Sequence, residues 1–411
     1  HAIFHSCLCR RQCMGIDMVL PGDVISTIER LEAAGYEAWA VGGCVRDSLI
    51  GRAPKDYDIA SLCPPAIVRA LFPRCVKTGE AYGTVTVLTP SMPIEVTIFR
   101  LESGYRDNRH PQSVSPASDI EIDLSRRDFT INAMAWHPKR GLCDPFGGQG
   151  DLESGIVRAV GDPYVRFSED ALRILRCLRF ASQLDFDIDS NTLEAVKKLA
   201  PSLESISVER ITAELNRLLT GERPELAAIL IESGGLAHCG IRQINNPSLL
   251  RKIPSSLPLR LAALLWLGLD DLSNTNIQSF LRRLRMDHHT IHSVGSLLSL
   301  MRNPLPTDAV ALKWAFSILP PDRWEGLLAM RSVLTGEDTD KVSYLLKEVS
   351  RQPWNRAMLA ISGDDLLKLG YNGRQVGRVL SLILEQVLYD PELNTKERLL
   401  KIAGDINPPP V

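Results

Sequence analysis

VGGCVRDSLIGRAPKDYDIA, residues 41–60, is the stretch on which the reading of this chain turns. Val41 runs into Gly42 and Gly43, a pattern that ends a strand and opens a helix. Backbone N–H groups are exposed at such a junction, and the missing Cβ lets a phosphate approach closely. Twelve residues separate Gly43 from Asp56, and Asp58 follows at i+2. On a strand that spacing sets both carboxylates on one face. Two acids held together are costly unless a cation sits between them. Magnesium suits such oxygen ligands and usually shares them with substrate phosphates. Two bridged metals would activate a 3′-hydroxyl and neutralise a leaving pyrophosphate. A bare Asp-x-Asp is more often a solvated strand edge; the upstream glycine pair favours the chemical reading. Glu95, in a following strand, is either a third carboxylate beside the pair or a surface glutamate.

Working outward, residues 22–34 carry apolar positions at helical spacing and stop at Gly35, while YEAWAVGG reads as a short strand. Residues 83–99 hold two β-branched runs split by Ser91-Met92-Pro93, a hairpin pattern. The polar segment from Glu102 to Asp123 reads as a long mobile loop. Beyond residue 150 helical periodicity takes over, with segments such as 168–182, 207–220 and 374–388, and strand signals nearly vanish. The expected fold is α+β: a mixed-sheet head with helices, then an all-helical remainder. The expected divisions are 1–18 as an extension or tag, 19–150 as head, 151–222 as neck and 223–411 as body and tail.

Three further blocks carry polar residues in suggestive patterns. In DLSRRDFTINAMAW, residues 123–136, Arg126 and Arg127 offer fixed positive charge to phosphates. Asp128 is a candidate acceptor for a ribose 2′-hydroxyl, and Asn132 shares its face if a helix starts there; Asp128 also fits a simple N-cap. DPFGGQGDLESGIVRAVGDP, residues 144–163, reads as a hinge. In SEDALRILRCLRFA, residues 168–181, Asp170, Arg173, Arg176 and Arg179 recur every three residues as one polar stripe. Cytosine and adenine both present an exocyclic amine beside a ring-nitrogen acceptor, whereas uracil and guanine present a carbonyl beside an N–H. An aspartate acceptor next to an arginine donor matches the first two and opposes the others. A buried polar group left unpaired costs about 1–3 kcal/mol, enough for roughly ten- to hundredfold discrimination. On this reading Asp170 and Arg173 choose the base, while Arg176 and Arg179 face a triphosphate or an RNA end.

Bulk properties narrow the class. The chain has 411 residues, 45% hydrophobic and 23% charged, which is ordinary for a globular protein of several domains. No apolar run reaches membrane-spanning length. A net charge of −2 means any polyanion site is a local patch, not a basic domain. The nine cysteines form no Cys-x-x-Cys pair, so no zinc site is expected, and reduced thiols in the cytoplasm are the default. His288, His289 and His292 share a helical turn with few carboxylates nearby and read as solvated or capping residues.

The four blocks, in this order, resemble the class II tRNA nucleotidyltransferases, the CCA-adding enzymes, and their relatives the bacterial poly(A) polymerases; the glycine pair with Asp-x-Asp is the signature of the wider polymerase-β superfamily. VERITAELNRLL, residues 208–219, is similar to that family's fifth, structural motif. The resemblance implies a polymerase-β-like nucleotidyltransferase head followed by neck, body and tail, with tRNA acceptor stem and elbow as the partner. It implies magnesium at Asp56 and Asp58, and contacts to ATP or CTP from Gly43, Arg46, Arg127, Asp170, Arg173, Arg176 and Arg179. It also implies that the 102–123 segment is the family's mobile loop, whose presence favours adding the terminal A. The expected activity is addition of CMP, CMP and AMP to the tRNA 3′ end. The alternatives are an A-adding or poly(A)-adding enzyme of the same family, a non-catalytic RNA-binding relative, and a small-molecule nucleotidyltransferase.

Overall fold

The structure is a computed structural model that describes residues 18–76, 83–105 and 111–406. The expectation for residues 1–18 falls almost wholly outside that range. The chain divides into two compact units between Arg242 and Gln243.

The first unit opens with α1 (Gly22–Ala33), which buries Val24, Thr27, Ile28 and Leu31 at helical spacing and is followed by Gly35 at φ 89°. The head then alternates β1 (Ala38–Val41), α2 (Gly43–Leu49), β2 (Tyr57–Ser61), α3 (Pro65–Leu71), β3 (Cys75–Val76), β4 (Thr84–Leu88) and β5 (Pro93–Ile98). Next come β6 (Arg100–Tyr105), β7 (Pro111–Pro116), α4 (Ile120–Ser125), β8 (Ala135–His137), β9 (Gly141–Cys143) and α5 (Gly148–Glu153). One seven-stranded mixed sheet runs β3-β4-β5-β2-β1-β8-β9. Its β2–β5 pairing is parallel, and the other pairings are antiparallel. Trp39, Val41, Ala60, Phe99 and Leu124 form an apolar layer between sheet and α4.

The remainder of the first unit holds β10 (Ile156–Val157), α6 (Pro163–Glu169), α7 (Leu172–Leu184), β11 (Asp187–Ile188), α8 (Ser190–Leu199), α9 (Val208–Leu219) and α10 (Ala227–Glu232). The second unit is helical throughout its regular elements, from Leu257–Gly268 to Lys396–Asp405. Its helix Gly373–Tyr389 buries Val379, Ile383 and Val387 against Leu366 and Leu399. Asp287 caps the helix His288–Arg302 by accepting the Thr290 N–H at 2.9 Å, while His289 meets Arg323, so this histidine turn serves the helix end and surface.

Four local expectations change. The 102–123 segment is not simply a loop: β6 and β7 pair as an antiparallel hairpin, and Asp119 then caps α4. Polar composition hid it, because a two-stranded ribbon outside the main sheet need not bury an apolar face. The polar run at 168–182 is not one helix. It breaks at Asp170 (φ −140°, ψ 105°), so Asp170 stands just ahead of α7. The strand carrying the second acid begins at Tyr57, leaving Asp56 immediately before it and exposed. A parallel pair, β10 with β11, lies inside the otherwise helical neck; two residues per strand are too short to leave a period.

Candidate functional site

Three pieces of local structure build one cavity of about 780 Å³ in the first unit, lined by eight arginines and five acids. The first piece is the glycine turn. Gly42 adopts φ 76° as the N-cap of α2, and its N–H bonds the Met134 carbonyl at 3.2 Å. A Cβ there would stand 2.8 Å from Arg127 Nη1. Gly42 is therefore required twice, by its left-handed backbone and by the guanidinium packed over it. Gly43 and Arg46 line the same cavity.

The second piece is the acidic corner. Asp58 on β2 is in register with Glu95 on β5, so both side chains leave the same face of the sheet. Burial, then Glu95 and Asp56, push the Asp58 carboxyl up to about 6, against the pull of Arg127. This is negative charge without full compensation. Both Asp58 and Glu95 line the cavity, whereas Asp56 is exposed and outside its lining. Among the described residues no group of three or more His, Cys, Asp or Glu converges as a complete metal cage. An under-compensated acid pair at a cavity wall fits a divalent cation that takes its remaining ligands from substrate phosphates.

The third piece is a buried polar network. Asp128 is 7% exposed. Its Oδ1 accepts from Phe129 N (2.9 Å) and Asn132 Nδ2 (3.2 Å), and its Oδ2 accepts from Arg176 Nε (2.8 Å) and Nη2 (2.5 Å). Burial opposes its ionisation, but Arg176 and Asn132 hold it down to about 2. A carboxylate offers about four acceptor positions. All are in use, so Asp128 does not stand ready for a ribose hydroxyl; it acts by fixing Arg176. Nor is it an N-cap with Asn132 one helical turn on: a 3-10 turn, Thr130–Asn132, follows it. Asn132 in turn accepts from Arg46 Nη1 at 2.6 Å, tying α2 to α7 through two residues.

Asp170, Arg173, Arg176 and Arg179 all line the cavity, yet Asp170 and Arg173 are not partners. Asp170 Oδ1 accepts the Leu172 N–H at 3.0 Å and its Oδ2 takes Arg210 Nη2 at 3.0 Å. Arg173 is held by Glu169 at 2.6 Å and by the carbonyls of Arg166 and Arg126, both at 3.1 Å. The helix break at Asp170 redirects its side chain away from the stripe. Arg179 pairs with Glu214 at 2.5 Å.

Sequence reasoning missed Asp123, Glu169, Arg210 and Glu214. Asp123 is 1% exposed and braces Arg126 at 2.8 Å and Arg127 at 3.3 Å. Arg210 and Glu214 sit one turn apart on α9, a spacing that gives a single polar ridge. That i, i+4 pair inside VERITAELNRLL was the available signal. The 144–163 block also does more than hinge. Asp144 accepts the N–H groups of Gly148 (2.7 Å) and Gln149 (2.9 Å), and Asp151 accepts the Thr130 hydroxyl at 2.7 Å. A Cβ at Gly148 would stand 2.2 Å from the Thr130 carbonyl oxygen, so α5 packs directly under the turn bearing Asn132.

Residues 38–158 match the family model described as the poly A polymerase head domain, and residues 185–244 match that described as the probable RNA and SrmB-binding site of polymerase A. The CCA-adding enzyme of Limosilactobacillus fermentum is 34% identical over 388 residues, covering 92% of this chain and 95% of that protein. The chain belongs to the CCA-adding enzyme family. A second CCA-adding enzyme, from Enterococcus faecalis, is 37% identical and aligns over 92% of this chain and 94% of its own length. The crystal structure of the Bacillus stearothermophilus CCA-adding enzyme in complex with CTP superposes with a TM-score of 0.76 at 30% identity, covering 93% of this chain and 96% of that one. The fold of a CCA-adding enzyme is thus present along nearly the whole chain. Nucleotidyl transfer in this family generally runs on divalent metal ions.

Proposed function

We propose that this chain completes the 3′ end of tRNA by adding CMP, CMP and AMP from CTP and ATP, releasing pyrophosphate at each step. The observation that carries the reading is one cavity in which an under-compensated acid corner, Asp58 with Glu95, faces an arginine-rich wall that also holds Asp170 and Arg173. Near-full-length similarity to CCA-adding enzymes supports it.

In this reading Asp56 and Asp58 hold magnesium, with Glu95 beside them. Bound there, the metal would neutralise phosphate charge and ease ionisation of the attacking RNA 3′-hydroxyl. The residues of the chain do the rest. Gly42 and Gly43 let the triphosphate approach the backbone at the start of α2. Arg46, Arg127, Arg176 and Arg179 receive its charge, held in place by Asn132, Asp123, Asp128 and Glu214. Asp170 and Arg173 offer an acceptor and a donor to the base from separately anchored positions. Residues 19–150 act as catalytic head, 151–222 as neck, and 223–411 as the body and tail that hold acceptor stem and elbow. Arg282 and Arg283, beside a surface depression on the helix Asn274–Arg283, suit RNA phosphates. The six described cysteines are all free, which supports a reducing cytoplasmic setting, and no helix among the described residues is long and apolar enough to cross a membrane.

Incubation of the protein with tRNA trimmed of its 3′ CCA, and with each labelled nucleotide separately and together, tests this. Three added residues in the order C, C, A are expected. One added A, or a long A tail, would assign the alternative activities instead.

A further inference from the structure

Three guanidinium groups converge on one aromatic ring in the cavity wall. The Cζ atoms of Arg46, Arg176 and Arg179 lie 5.2, 5.5 and 3.7 Å from the centroid of Phe180. The ring is 6% exposed and lines the cavity. Phe129 meets it in a T-shaped contact at 5.7 Å and 75°, fixing the ring plane. Each arginine also has its own polar anchor: Asp47 and Asn132 for Arg46, Asp128 for Arg176, and Glu214 for Arg179. Asn132 and Asp128 are bonded to each other and so link Arg46 to Arg176, but Arg179 is anchored apart from them, by Glu214 on α9. The ring is what the three cations share.

Each guanidinium is paired with a carboxylate, Asp47, Asp128 or Glu214, yet all three must also be held at one spot if they are to meet a polyanion together. A π face carries negative charge density and attracts cations within about 6 Å of its centroid. A saturated side chain of similar bulk would fill the same space with no such attraction. We propose that Phe180 is a positioning residue for the nucleoside triphosphate. Its ring holds Arg46, Arg176 and Arg179 in a convergent array before the substrate enters, so it sets triphosphate affinity without choosing the base. The proposal rests on the reading of this cavity as a nucleotide site, and deepens it.

The test replaces Phe180 by phenylalanines carrying one, two, three and five ring fluorines, which withdraw the negative face while nearly preserving shape. Phe180→Leu serves as the ring-free comparison. Kd for CTP is measured by calorimetry in the absence of RNA, alongside KM, kcat and base choice on trimmed tRNA. Stepwise weakening of CTP and ATP binding is expected, reaching about tenfold for five fluorines. The preference for C and A over U and G should stay unchanged, with kcat within about twofold and the melting temperature nearly constant. A flat Kd across the fluorinated series overturns the proposal. So does a Phe180→Leu protein that melts lower but binds CTP normally, because the ring would then be packing alone. Failure of the unsubstituted protein to extend tRNA would instead sink the functional reading, while the Kd series still decides the role of the ring.

Discussion

Nη2 of Arg210 lies 3.0 Å from Oδ2 of Asp170, an ion pair that joins α9 to the break between α6 and α7. It gives the acid proposed to face the base a fixed direction, with Oδ1 locked by the Leu172 N–H. If Asp170 selects the base, its selectivity depends on a residue that need not touch the nucleotide. Arg210→Ala should relax the preference for C and A over U and G by about tenfold, the scale of one mispaired buried group, while Arg210→Lys retains part of it. Single-nucleotide incorporation ratios measure this. Unaltered ratios in Arg210→Ala would remove the ion pair from base selection.

Asp58 should be required for chemistry and not for RNA binding. Asp58→Ala is expected to abolish incorporation while tRNA affinity, read by filter binding, stays within about twofold. Incorporation near the wild-type rate would dismiss the metal assignment.

The same acid should make the metal-free protein less stable at neutral pH. The folded-state carboxyl titrates near 6, above its ordinary value of 3.8. Its contribution to stability is therefore present at low pH and lost as pH rises through about 6. In chelator at pH 7.5, Asp58→Asn should be more stable than wild type by on the order of 2 kcal/mol. Adding magnesium should narrow or reverse the difference, because only wild type gains the ligand. Chemical denaturation in the two buffers provides the comparison; equal stability in chelator would contradict the assigned electrostatics.

Asp128 behaves oppositely. Its carboxyl is held at about 2, so its contribution is present above the ordinary carboxylate range and lost as pH falls through that value. Asp128→Ala leaves Arg176 without its partner and should cost about 1–3 kcal/mol together with weaker triphosphate binding. Because every acceptor position of Asp128 is occupied inside the protein, discrimination of ribo- over deoxyribonucleotides should change little in Arg176→Lys, which preserves the charge. A large loss of sugar discrimination there would restore a direct sugar role to this pair.

Two glycines of α5, Gly148 and Gly150, two positions apart, should respond in opposite ways. A Cβ at Gly148 collides with the Thr130 carbonyl, whereas one at Gly150 meets nothing within 4 Å. Gly148→Ala should cost about 1–3 kcal/mol and weaken nucleotide binding through the displaced Asn132 turn. Gly150→Ala should be neutral or stabilise by up to about 1 kcal/mol. Thermal melts with and without CTP distinguish them, and a well-tolerated Gly148→Ala would mean the turn can shift freely.

What the sequence determined by itself is what local period and residue chemistry encode. Apolar spacing gave most helices of the second unit to within about three residues, such as Gly373–Tyr389, but not the last, Lys396–Asp405, and the β-branched runs gave the hairpin of β4 and β5. Gly42-Gly43 with Asp56 and Asp58 marked a candidate phosphate and metal site, because the glycine pair and the acids together are a rarer pattern than either alone. Tertiary structure alone decided which charge answers which. The stripe Asp170–Arg173–Arg176–Arg179 suggests neighbours along one helix, yet their partners are Arg210, Glu169, Asp128 and Glu214, all of them outside α7. The backbone break at Asp170 takes that acid out of the helix that carries the three arginines. Long-range ion pairs leave no period in the chain, since a guanidinium is satisfied by any carboxylate that folding brings within reach, and only the packed fold says which one arrives.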